Sequence, residues 1–246
     1  MRRQLSVRFL SDGSVIQHLG ALENPKLVVI LGREDVERDN GVFGLLYQPL
    51  LDEGYTLIWY EFYSRYLAAR LADPFGDLSP KPAWIRRVLG GVRLLAYRSF
   101  WGKLWKSRSV PWPSFEDRYD SVRQFFATFP GGQSSLVVLS RSSGGVVAST
   151  LAESVGIHRI VCAGYPFKHP QKPEEVYRTQ HLETLKTPFL IFQGRSDAYG
   201  GEAAVDRYAL SDNIQVQWVE SDHDFGLKAE DQAQFIAQSL RFLGFG

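Results

Sequence analysis

A chain of 246 residues is long enough to bury roughly 70–75% of its unfolded surface, so it needs no covalent staples. Its apolar fraction of 44% and charged fraction of 22% suit an ordinary globular fold, and the single cysteine, Cys162, excludes an internal disulfide framework and any cysteine-pair zinc site. No run of about 18 apolar residues is present, and Gln4, Ser6, Arg8 and Ser11 interrupt the stretch after Met1-Arg2-Arg3; the expectation is therefore a soluble, cytoplasmic chain with neither membrane span nor signal peptide, folded as one domain over 1–246.

In chain order, residues 5–17 read as a hairpin around Ser11-Asp12-Gly13-Ser14. Residues 26–31, Lys-Leu-Val-Val-Ile-Leu, are apolar on both faces, which suits a buried central strand. A helix is predicted over 42–51 and a strand over 55–60. Tyr119, Val122, Phe125, Phe126 and Phe129 fall at helical spacing over 116–129, and Pro130-Gly131-Gly132 stops the pattern. Strands over 135–139, 159–164, 188–192 and 214–219, with helices over 144–154 and 231–243, complete the pattern. Buried strands alternating with helices predict an α/β protein whose sheet is mostly parallel, with helices on both faces.

Residues 61–115 break the alternation and read as a cap-like insert. From 78 to 115 stand Lys81, Arg86, Arg87, Arg93, Arg98, Lys103, Lys106 and Arg108 with no Asp or Glu; the chain total of +1 then leaves −7 for the remainder. The same stretch holds Trp84, Trp101, Trp105 and Trp112. Tryptophan mixed with arginine and lysine suits a lid over a site or peripheral contact with an anionic membrane. No recognition motif points to nucleic acid.

The chemistry concentrates where the 135–139 strand runs into Ser140-Arg141-Ser142-Ser143-Gly144-Gly145 and then a helix. A nucleophile on such a sharp turn needs small residues two before and two after it, because their Cβ positions crowd each other. Ser143 would put Arg141 in a crowded position and Ser140 would put Val138 there; Ser142, flanked by Ser140 and Gly144, is the choice that satisfies both sides. A serine hydroxyl needs a base, and the base an orienting carboxylate. Asp197 follows the 188–192 strand and His223 follows the 214–219 strand, each just past a C-terminal strand end, where parallel sheets gather their ligands. Asp222 and Asp224 flank His223 and are alternatives to Asp197. The order Ser, Asp, His is the α/β-hydrolase order.

On these residues the chain resembles the α/β-hydrolase superfamily over most of its length, the insert excepted. Gly164-Tyr165-Pro166-Phe167, Lys172-Pro173, Arg178-Thr179-Gln180-His181-Leu182 and Gln193-Gly194-Arg195-Ser196-Asp197 look more narrowly like the KANL3/Tex30-type hydrolase-like branch, related to dienelactone hydrolases. The resemblance implies Ser142 as nucleophile, Asp197 as acid and His223 as base, with ester or related acyl hydrolysis of a small molecule as the activity. Some branch members look non-catalytic, so a silent scaffold whose basic cap binds a protein partner or an anionic membrane is the alternative. Ser140 departs from the usual first glycine of the turn. For the oxyanion, the backbone N–H of Ser143 is one expected donor; Arg33, in the loop after the 26–31 strand, is the second, with Glu34 as the alternative. No metal or organic cofactor is called for. His169 and His181 read as ordinary surface or loop residues.

Overall fold

The computed structural model describes residues 6–9, 14–32, 41–61, 115–129 and 135–245. Most of the basic, tryptophan-rich insert and the expected oxyanion donor Arg33 with its alternative Glu34 lie outside these residues. Among the described residues eight strands form one sheet: β1 (Ser6–Phe9), β2 (Val15–Leu19), β3 (Lys26–Leu31), β4 (Thr56–Glu61), β5 (Ser135–Arg141), β6 (Arg159–Ala163), β7 (Phe189–Gly194) and β8 (Ile214–Val219). Their spatial order is β1-β2-β4-β3-β5-β6-β7-β8. The opening hairpin adds β1 and β2 antiparallel at one edge, and β4, β3, β5, β6, β7 and β8 run parallel. The mostly parallel α/β architecture expected from the alternation is borne out.

The two-residue period of the strands sorts their side chains onto two buried faces. Leu27, Val29 and Leu31 of β3, with Leu136 and Val138 of β5, pack against α2 (Phe115–Phe126) and α3 (Ser143–Val155). Val28 and Ile30, with Val137 and Leu139, pack on the other face against α1 (Gly44–Asp52) and the C-terminal helix. That last helix, Ala229–Leu243, follows a four-residue helix, α4 (Glu202–Val205), and is therefore α5. Its inward stripe, Phe235 and Leu243, is buried, and Phe235 meets both Phe43 and Phe192. Among the described residues no helix is long and apolar enough to cross a membrane.

Two sequence expectations need adjustment. The helix expected to reach residue 129 ends at Phe126; the following residues turn back, with Thr128 Oγ1 donating to the Phe125 carbonyl at 2.6 Å. Residues 166–188, between β6 and β7, contain two 3₁₀ turns, Val176–Arg178 and Gln180–Thr184. His181, on the second of them, is not an ordinary surface residue: its Nε2 lies 2.7 Å from the Oγ of buried Ser149 on α3. Desolvation at this contact pushes its pKa down to about 4.

A histidine kept neutral in the fold but protonated near pH 6.5 in the unfolded chain stabilises fully above that pH. The contribution is lost as pH falls from about 6.5 toward 4, up to about 3 kcal/mol in all. Urea unfolding at pH 7 and pH 4.5 should show this decline in the wild type, and His181→Gln should flatten it relative to the wild type. Parallel declines in the two proteins would contradict it.

Candidate active site

β5 delivers Ser142 to the tip of a sharp turn, and α3 starts at the next residue. Ser142 has φ 53° and ψ −128°, a positive-φ conformation that L-residues rarely adopt. The turn is held by the Ser142 N–H donating to the Ala163 carbonyl at 3.2 Å and the Gly145 N–H donating to the Ser142 carbonyl at 2.9 Å. The crowding inferred from sequence has specific sources. A Cβ on Gly144 would come within 2.6 Å of the Leu31 carbonyl oxygen, and one on Gly32 would strike the Arg141 carbonyl. The first small position tolerates a serine because Ser140 is buried with its Oγ donating across to the Val161 carbonyl on β6, 3.2 Å away.

Three side chains from three strand ends then meet. Ser142 Oγ is 2.9 Å from His223 Nε2, and His223 Nδ1 is 2.9 Å from Asp197 Oδ2. The network reads as Ser142 O–H donating to Nε2 and Nδ1–H donating to the carboxylate. The Asp197 side chain is fully buried, whereas that of His223 is 13% exposed, so the carboxylate is shielded while the imidazole reaches the surface. Asp197 Oδ1 accepts the Tyr199 N–H at 2.7 Å, and Oδ2 also accepts Gln193 Nε2 at 3.0 Å. Asp222 Oδ1 instead accepts the Asp224 N–H, so it serves the turn.

Residues that the sequence did not single out complete the arrangement. Gln193, a polar side chain in an otherwise apolar strand, is wholly buried and spends its amide on Asp197. The Tyr199 ring lies over the His223 imidazole, centroids 4.4 Å apart and planes 36° from parallel. Arg141, the residue before the serine, sends its Nη2 82 positions along the chain to the carbonyls of His223 (3.1 Å) and Asp224 (2.6 Å). The next residue, Phe225, has φ 57°, a backbone state that costs a bulky side chain about 1–3 kcal/mol. Arg141 thus ties the serine's turn to the strained loop that carries the histidine. On the other face Arg118 of α2 donates to Ser143 Oγ at 2.7 Å, engaging the neighbouring serine's hydroxyl.

The Ser143 N–H opens α3, where the first backbone donors have no partner inside the helix and the dipole is positive. Cys162, beneath the turn, is buried and its thiol is pushed up to about 12 by desolvation, so it remains a thiol. The loop from Gly194 to Gly201 leads into α4.

Comparison with known proteins gives a family and a fold. A family profile described as an alpha/beta hydrolase domain matches residues 106–240. A lidless α/β serine hydrolase from Xanthomonas campestris aligns over 98% of this chain and 95% of its own, with a TM-score of 0.58 at 12% identity. An esterase from Pyrococcus furiosus aligns over 98% and 89%, with a TM-score of 0.59 at 14% identity. The esterase domain of a Rhodothermus marinus protein aligns over 96% of each chain, with a TM-score of 0.54 at 12% identity. A search of curated proteins finds no match.

If Arg141 holds the histidine loop, removing its guanidinium should loosen that loop and little else. In Arg141→Met, amide hydrogen exchange across 222–227 should quicken by about tenfold or more, the loss expected for two charge-assisted hydrogen bonds. Exchange in α3 should not change. Unchanged exchange at 222–227 would contradict the clamp.

Proposed function

The chain belongs to the α/β-hydrolase family, and from that premise we propose that it is a serine hydrolase cleaving an ester or related acyl bond. The observation that carries the reading is the unbroken chain Ser142 Oγ, His223 Nε2, His223 Nδ1, Asp197 Oδ2, with both links at 2.9 Å. A catalytically silent scaffold has no need of this alignment, nor of a serine held at φ 53°. The hydrolase and esterase names of proteins with the same fold agree with this reading.

In the proposed reaction Ser142 Oγ attacks the acyl carbon as its proton passes to His223 Nε2. The negative charge that develops on the acyl oxygen is met by the Ser143 N–H at the positive end of α3. The loop after β3 supplies the second donor, for which Arg33 or Glu34 is the expected residue. Asp197, fixed by Gln193 and the Tyr199 N–H, stabilises the imidazolium and keeps its Nδ1–H turned inward. The imidazolium returns the proton to the leaving alkoxide, leaving Ser142 acylated. A water that gives its proton to Nε2 then attacks the acyl carbon, and the acid departs as Ser142 regains its proton.

Kinship with the KANL3/Tex30-type branch is part of the proposal and rests on residues 164–167, 172–173, 178–182 and 193–197. So is peripheral contact between the 78–115 segment and an anionic membrane, which rests on eight cations and four tryptophans.

The register of the turn is directly testable. Ser142→Ala should lower turnover of p-nitrophenyl acetate by about 10⁴-fold or more. Ser143→Ala should retain most of it, because the part proposed for Ser143 is played by its backbone. The opposite ranking would contradict the assignment, and a fully active Ser142→Ala would contradict the function.

A further inference from the structure

One residue of the loop between β7 and α4 touches both Asp197 and His223. Tyr199 donates its N–H to Asp197 Oδ1 at 2.7 Å, and its ring lies against the His223 imidazole. Its backbone is held from the segment after β6 as well. The Lys168 N–H donates to the Tyr199 carbonyl at 2.9 Å, and the next residue, Gly200, lies so close to Phe167 that a Cβ there would come within 2.9 Å of its ring. The far side of the phenol ring is also engaged. The His169 ring stands at 76° to it with centroids 5.7 Å apart, and His169 Nδ1 accepts the Gln171 N–H at 3.1 Å. The half-buried Tyr199 ring is therefore fixed by its own backbone and by a neighbouring segment.

With centroids 4.4 Å apart and planes 36° from parallel, the imidazole overlaps the face of the phenol ring. That face carries the negative part of the ring quadrupole and attracts a cation within about 6 Å. A neutral imidazole gains ordinary ring contact there, and an imidazolium gains the electrostatic attraction in addition. In the proposed reaction the contact is stronger once the Ser142 proton has reached Nε2 than before, and an interaction of that kind lowers the barrier.

We propose that Tyr199 is a positioning residue for His223: its ring holds the imidazole in line between Ser142 and Asp197 and stabilises the protonated ring that forms as Ser142 attacks. The inference rests on the hydrolytic reading and adds a residue to it. Among the described residues, the other charged or titratable groups about His223 are Asp197 at Nδ1, Arg141 on its backbone carbonyl, and Asp222 and Asp224 on either side in the chain. Lys168 and His169 stand behind Tyr199, and Cys162 stays a thiol. Gly164 and Phe225, also close by, carry no charge. All of these remain when Tyr199 alone is changed.

The test compares the wild type with Tyr199→Leu, which keeps an apolar cover without a π face, and Tyr199→Phe, which keeps the ring. The His223 imidazole, assigned with His223→Gln, is titrated by NMR, and kcat and KM for p-nitrophenyl acetate are measured over the same pH range. In Tyr199→Leu the imidazole should titrate about half a pH unit lower than in the wild type, and the acid limb of kcat/KM should move with it. Its kcat should fall about threefold to tenfold while KM stays within about twofold. Tyr199→Phe should restore both the midpoint and kcat. Thermal unfolding reports the fold of each variant, and Tyr199→Met carries the same expectations should Tyr199→Leu not fold. An unmoved imidazole midpoint in a folded Tyr199→Leu or Tyr199→Met, or a Tyr199→Phe as impaired as Tyr199→Leu, would overturn the proposal. A wild type without esterase activity would overturn the hydrolytic reading instead, and the imidazole midpoints would still decide whether Tyr199 stabilises the protonated ring.

Discussion

The candidate site depends on one backbone constraint, the positive-φ turn at Ser142. A serine in that conformation persists only where its surroundings over-determine it. Here β3 closes in from one side, with Leu31 and Gly32 so near the turn that no Cβ fits on Gly144 or Gly32. β6 holds it from the other, through the Ala163 carbonyl and the Ser140–Val161 hydrogen bond. The turn lifts the Ser142 hydroxyl off the strand end while α3 brings its first N–H groups alongside. One local geometry thereby presents the proposed nucleophile together with a backbone donor for the charge its attack would create.

The histidine is fixed by a different strategy. Its loop is strained at Phe225, and the restraint comes from outside: Arg141 holds the His223 and Asp224 carbonyls, Tyr199 covers the ring, and Asp197 holds Nδ1. Arg141 sits between the two anchors, so one residue couples the serine's turn to the histidine's loop. Buried Gln193 keeps the acid in place from beneath. In the proposed reaction an imidazole aligned this closely has little left to reorganise as the proton moves.

How much of this was legible in the sequence depends on the range of each interaction. The strands were readable because apolar runs such as 26–31 and 135–139 are buried on both faces, a local consequence of parallel pairing. Ser142 was readable because the turn imposes its size rule within five consecutive residues. Asp197 and His223 were readable as residues just past strand ends, and the structure brings both to Ser142. Arg141 was not, because its partners lie 82 and 83 positions away, nor was Tyr199, because stacking on a ring leaves no spacing pattern. The burial of His181 was hidden for the same reason: it comes from Ser149, 32 residues earlier on another element.

The central claim is that Ser142, activated by His223, is the nucleophile. It is tested most directly by treating the full chain with a fluorophosphonate and mapping the adduct by peptide mass spectrometry. Attack by an activated serine on phosphorus, with loss of fluoride, mimics the first acyl-transfer step. The predicted result is one adduct, on Ser142, lost in His223→Ala. An adduct on Ser143 or elsewhere, no adduct at all, or labelling of Ser142 at full rate in His223→Ala would contradict it.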